Sequence, residues 1–173
     1  MGPLVERPAS TPPTIDAYTL AQMHALEPGC SCFAIRRTSR RITRFYDQHL
    51  VAAGLRTTQY SLLAHLRSGE GVSMRVLAEQ LDMDRSTLNR NVRPLIQSGW
   101  VDQRAGADPR TAVLGLTGAG RRKLAEARVL WRQAQAAFES LMGARGLASL
   151  HAGLDAAQRS LPRAPRIIPA SAR

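Results

Sequence analysis

Two sets of residues in this chain carry side chains suited to reaction or recognition. One is a pair of thiols, Cys30 and Cys32, a single residue apart. A thiolate attacks peroxides and disulfides, and a neighbouring cation favours that charged form. The other set lies between Asp84 and Gln97 and holds Ser86, Thr87, Asn89, Arg90 and Arg93. A guanidinium fork matches the acceptor edge of guanine or a phosphate, and amides and hydroxyls bond base edges. Enzyme chemistry has thinner support. The chain offers no glycine-rich phosphate loop, no nucleophile elbow and no paired ligand spacing among His24, His49, His65 and His151. Cys32 with a histidine base is all that an enzyme reading retains. The expectation is a non-enzyme with no catalytic residue, metal or cofactor.

The charge points the same way. The chain of 173 residues has 24 Lys and Arg against 13 Asp and Glu, a net of +11, and Lys123 is the lone lysine. An excess of this size favours an anionic partner, with nucleic acid ahead of a membrane surface. At 44% hydrophobic residues the chain can bury a core, which excludes a disordered polycation. No run of about 18 apolar residues is present to span a bilayer. The opening Met1-Gly2-Pro3-Leu4 has no basic start followed by an apolar stretch, so a cytoplasmic protein without membrane contact is expected.

The elements that must position these residues are mostly helical. Residues 1–16, with Pro3, Pro8, Pro12 and Pro13, read as a flexible arm, and residues 162–173 as a flexible tail. Residues 17–57 hold N-terminal helices that contribute to dimerisation. The main one, over 30–52, carries Ile35, Ile42, Phe45 or Tyr46, and His49 on one stripe and Arg36, Arg40 and Arg44 on another. One residue apart on a helix, Cys30 and Cys32 point to different sides, which disfavours a bridge between them.

Residues 58–116 are the most informative. A helix over 58–67 ends at Gly69 and Gly71, and Ser73 caps a helix over 74–81. Asp82-Met83-Asp84 makes a short turn whose last residue caps the helix 85–98, which Gly99 stops. At 100° per residue, Leu88, Val92, Leu95 and Ile96 share one face, and Ser86, Arg90, Arg93 and Gln97 share the opposite one, with Thr87 and Asn89 at its margins. A strand over 100–104, a turn over 105–109 and a strand over 110–116 follow as a β-hairpin with Arg104 and Arg110 at its shoulders. Helix, turn, helix and basic hairpin make a winged helix-turn-helix domain. Arg75, Arg85 and Arg104 complete its basic set. Thr117 opens a last helix of about 25 residues, within C-terminal dimerisation helices over 117–161. Leu124, Trp131, Phe138 and Leu141 recur there at heptad spacing, as do Leu147, Leu150, Leu154 and Leu161 beyond. The fold class is mainly α with a small β-hairpin wing, and a partner copy is the simplest cover for helices so apolar along one stripe.

The order of these elements, Asp84-Arg85-Ser86-Thr87-Leu88, Arg93-Pro94-Leu95 with Gly99, Asp108-x-Arg110 and Leu114-x-Leu116-Thr117 together resemble the MarR family of winged helix-turn-helix transcriptional regulators over residues 30–161. The resemblance implies a homodimer on a double-stranded, pseudo-palindromic DNA operator, acting as a repressor released by a small molecule or an oxidant. It puts the helix 85–98 in the major groove through Ser86, Thr87, Asn89, Arg90 and Arg93, and the wing 101–116 in an adjacent minor groove through Arg110.

Cys32-Phe33-Ala34 resembles the start of the first helix in the organic-hydroperoxide sensors of that family, where two tyrosines hold a reactive thiol. Tyr46 stands at one of those positions and Arg36 at the other. In the other sensing mode the resemblance implies, a small aromatic or anionic effector lodges among the helices. Arg36, Tyr46 and His65 are the residues suited to line its site. Beside these stands the reading of a non-specific architectural binder that uses charge and shape with no switch.

Overall fold

The computed structural model describes residues 30–69, 71–106 and 111–162. The arm over 1–16, the wing turn at 107–109, Arg110 and the tail over 163–173 lie outside the described residues. Among the described residues there are five α-helices: α1 (Ser31–Leu50), α2 (Thr57–His65), α3 (Met74–Gln80), α4 (Arg85–Gln97) and α5 (Gly118–Ser160). Short 3-10 turns follow α1 at Val51–Ala53 and α2 at Leu66–Ser68. Two compact units divide within α1, between Arg41 and Ile42. In the first, Ala34 N–H donates to the Cys30 carbonyl at 3.1 Å and opens the helix.

Local chemistry sets the helix starts. Asp47 accepts from both the backbone N–H and the hydroxyl of Thr57, at 2.6 and 2.7 Å, so a carboxylate of α1 caps α2. Ser73 accepts from Val76 N–H at 3.2 Å and Asp84 from Thr87 N–H at 2.8 Å, as the sequence predicts for α3 and α4. Between α3 and α4, Asp82 has φ 49, a left-handed conformation that costs a non-glycine residue. Gly99, at φ 69, ends α4 as expected. The core is leucine-rich: Leu50, Leu62, Leu63, Leu66, Leu77, Leu88, Leu95 and Leu114 are fully buried.

The wing differs from a plain hairpin. Strands β1 (Val72–Ser73), β2 (Val101–Ala105) and β3 (Ala112–Leu116) form an antiparallel sheet in the order β1-β3-β2, with Val72 opposite Leu114 and Asp102 opposite Gly115. The extra strand is the two residues before α3. It pairs with the side of β3 that a hairpin would leave open. Gly106 N–H donates to the Thr111 carbonyl at 2.7 Å and closes β2 on β3.

Helix α5 is docked at its start and broken later. Thr117 donates its hydroxyl to the Gly99 carbonyl at 2.6 Å and accepts from Gly120 N–H at 2.9 Å, while its own N–H donates to the Trp100 carbonyl at 3.1 Å. Lys123 reaches the Ala53 carbonyl at 3.3 Å, pairs with Glu126 at 2.8 Å and lies 5.4 Å from the centre of the Trp100 ring. Further along, Trp131 stacks on Tyr60 with centroids 5.7 Å apart, and Tyr46 donates to Gln135 at 2.7 Å. Gly143, at φ 67 and ψ 158, interrupts the helix. No helix among the described residues is long and apolar enough to cross a membrane.

A Cβ built on Gly120 would lie 1.9 Å from the Trp100 carbonyl oxygen, a backbone atom that cannot swing aside. Gly120→Ala is therefore expected to destabilise the fold by about 3 kcal/mol or more, lowering the thermal midpoint by roughly 10 °C. A melt followed by circular dichroism measures this, and a midpoint within a degree of the parent would contradict the packing.

Candidate nucleic-acid interface

Helix α4 buries Leu88, Val92 and Leu95 against the core and leaves the rest of its surface free. Ser86, Asn89, Arg90, Arg93 and Gln97 are exposed, as projection of the sequence placed them, and Thr87 is half-buried. Ile96 shares the face of Leu88, Val92 and Leu95 but, unlike them, is 36% exposed. Its position at the end of the apolar stripe lies beyond the reach of the core. There, with Met74, Val92, Asn89, Arg93, Gln97 and Gln103, it lines a surface cleft of about 430 Å³ between α4 and the wing. Met74 and Gln103 were not singled out from sequence. The available signal was the two-residue alternation of β2, which puts Gln103 on the same side as buried Val101.

The first turn of α4 is held by a chain of hydrogen bonds. Asp84 accepts from the hydroxyls of Ser86 and Thr87, at 2.5 and 2.7 Å, in addition to Thr87 N–H. These donors hold its carboxyl well below the usual carboxylate range. The Thr87 oxygen in turn accepts from Arg90 at 3.1 Å. Both hydroxyl protons are therefore committed to the Asp84 carboxylate. What Ser86 and Thr87 have left to offer are lone pairs, acceptors for an N–H donor such as adenine N6 or cytosine N4. Arg90 keeps its remaining N–H groups for acceptors outside the protein.

The other cations differ in their freedom. Arg75 pairs with Glu79 at 2.9 Å in an exposed i,i+4 bridge, worth little to stability and easily exchanged. Arg104 lies 3.4 Å from Asp102 on β2. Arg85 and Arg93 are exposed and have no acid partner among the described residues. Arg110 lies outside the described residues.

The residues proposed for sensing are scattered in environment. Cys30 and Cys32 are both exposed free thiols, and Arg36 is exposed. Tyr46 is buried against Phe138, with ring centroids 5.9 Å apart, and its hydroxyl is engaged by Gln135. Burial, with Glu139 nearby, pushes its pKa up. His65 is exposed, with its Nδ1 2.7 Å from the Ser61 carbonyl.

Comparison with known proteins agrees with this geometry. The family model described as MarR family matches residues 53–110, from the turn after α1 through the wing. The HTH-type transcriptional regulator YwoH of Bacillus subtilis is 28% identical over 95 residues, 55% of this chain and 69% of that protein. The structure of the M. tuberculosis transcriptional regulator MosR in complex with DNA is 34% identical, with a TM-score of 0.62 over 75% of this chain and 98% of that one. A MarR variant from E. coli complexed with operator DNA shares the fold, with a TM-score of 0.69 and 20% identity over 81% of this chain and 98% of that one. With a 34% identical relative covered almost end to end, and the helix-turn-helix and wing present, the chain belongs to the MarR family of winged helix-turn-helix, DNA-binding transcriptional regulators.

Proposed function

We propose that the chain is a homodimeric repressor that binds a pseudo-palindromic operator through α4 and the wing, acts in the cytoplasm and is released by a small effector. The observation that carries this is the exposed side of α4. There Ser86, Thr87, Asn89, Arg90 and Arg93 sit on a helix whose start is tied down by Asp84 and whose opposite side is anchored by Leu88, Val92 and Leu95. A rigid helix with this side-chain set suits a major groove. MosR and the E. coli MarR variant, both solved with DNA, support carrying that role to this chain.

Exposed Val129, Leu141, Met142, Leu154 and Leu161 on and just beyond α5 support the second copy. Two-fold symmetry would then set two reading helices about 34–36 Å apart, one turn of duplex. For the effector, a small anionic or aromatic molecule, Arg36 and His65 remain the exposed candidates. Tyr46 acts first as packing between α1 and α5.

Operator binding is tested by gel shift with DNA flanking the chain's own reading frame. The parent is expected to bind with an affinity that falls steeply with salt. Arg90→Ala and Arg93→Ala should each weaken binding by about 1–3 kcal/mol relative to random duplex. Unchanged affinity in both variants would remove α4 as the reading element, and equal affinity for flanking and random DNA would favour an architectural binder.

A second reading has one specific observation behind it: Cys32 is solvent-exposed on the first turn of α1, so an oxidant can reach it. On this reading an organic hydroperoxide weakens operator binding by the parent, and Cys32→Ser abolishes that response. A Cys32→Ser protein that still lets go of DNA on oxidation would exclude Cys32 as the sensor.

A further inference from the structure

We propose that Asp102 is a positioning residue for DNA binding: it holds the Arg104 guanidinium flat along the outer side of the wing so that its free N–H groups meet a phosphate. This rests on the DNA-binding reading above and adds a residue of the opposite charge to it.

The strand geometry makes the arrangement. Asp102 and Arg104 are two apart on β2, so both project from the side opposite Val101 and Gln103, away from the cleft beside α4. Across from them on β3 stand Gly115 and Val113, paired with Asp102 and Arg104 respectively. Gly115 has ordinary backbone angles, so a left-handed turn does not account for it. What it provides is space. A Cβ there would lie 2.4 Å from Arg104 Nη2 and 3.0 Å from Asp102 Oδ1. The guanidinium is thus folded back over the glycine instead of extending into solvent, with its Nε 3.4 Å from Asp102 Oδ2.

The remaining atoms show what the pair is ready to do. Asp102 Oδ1 is shielded from water and has no hydrogen-bond partner among the described residues. It is free to accept a second N–H from the Arg104 fork, giving the two-point pairing that fixes a guanidinium plane. The Arg104 side chain nevertheless stays 54% exposed, so its outer N–H groups are open to a ligand. An isolated carboxylate on a surface that meets phosphates repels them. One that orders an arginine has the opposite net effect, because the flexible side chain no longer has to be immobilised on binding. The sign of the Asp102 effect therefore separates the two roles.

The test uses the full chain and a random-sequence duplex of about 30 base pairs, titrated across salt from about 50 to 200 mM. Arg104→Ala is expected to weaken binding several-fold and to reduce the slope of log affinity against log salt by about 1, the signature of one lost phosphate contact. Asp102→Asn, although it removes a negative charge, is expected to weaken binding in the same direction and to flatten the slope. Gly115→Ala, which displaces the guanidinium, should reproduce that loss while adding nothing to Arg104→Ala.

Asp102→Asn binding as tightly as the parent or more tightly, or losing affinity with an unchanged slope, overturns the proposal. So does a folded Gly115→Ala protein with parental affinity and slope. Thermal unfolding of each variant identifies any loss that comes from misfolding, and the Gly115→Ala comparison then decides. A parent that fails to bind duplex at the lowest salt overturns the DNA-binding reading itself, an outcome distinct from parental binding with a silent Asp102.

Discussion

The Trp100 carbonyl is the point on which the rest of the molecule turns. It accepts from Thr117 N–H at 3.1 Å, and Gly120 passes so near that any side chain there would collide with it. Thr117 extends the junction by donating to Gly99, the residue that ends α4. The end of α4, the start of β2, the end of β3 and the start of α5 are thereby joined within a few residues. Lys123, one turn further, adds the Ala53 carbonyl and the Trp100 ring to the same knot. The junction ties the end of α4 to both long strands of the wing, whose ladder runs over five residue pairs between β2 and β3.

From that junction outward, rigidity is built in two different ways. Toward the core it comes from close-packed leucines, which fix the back of α4 at Leu88, Val92 and Leu95. Toward solvent it comes from hydrogen bonds among groups that would otherwise be mobile: Arg90 to Thr87, Thr87 and Ser86 to Asp84. An acid at the tip of a helix otherwise rich in arginine is consistent with this. Asp84 offsets the unpaired N–H groups of the helix start and sets which way two hydroxyls point. Because its carboxyl is held below the ordinary carboxylate range, this contribution is in place above about pH 4 and is lost as pH falls further.

Much of this was legible in the sequence because it depends on near neighbours. Ser73, Asp84 and Thr117 announce helix starts through bonds that span three residues, and Gly99 announces a stop through its own backbone. The heptad spacing beyond Thr117 anticipated a helix of about 25 residues followed by another apolar segment, which is where Gly143 breaks α5. Features that depend on register or distance were not legible. Val72 and Ser73 became a strand only because β3 offers them an open side. Ile96 shares a face with Leu88, Val92 and Leu95 yet stays exposed, and a helix projection contains no account of where the core ends. The contact of Arg104 with Gly115 requires knowing which residues face each other across a turn. Tyr46, suited by type to a ligand site, proved to be packed against Phe138 and bonded to Gln135, two residues 89 or more positions away.

The break at Gly143 divides α5 into parts with different obligations. Before it, Gly120, Ala127 and Ala134 are buried and Trp131 stacks on Tyr60, so substitutions there disturb the whole molecule. After it, none of the described residues of the helix is buried within the chain. The angles at Gly143 are open to glycine alone, so helical packing is not transmitted through that residue as it would be through a continuous helix. The stretch beyond can therefore change composition while the DNA-reading half keeps its geometry.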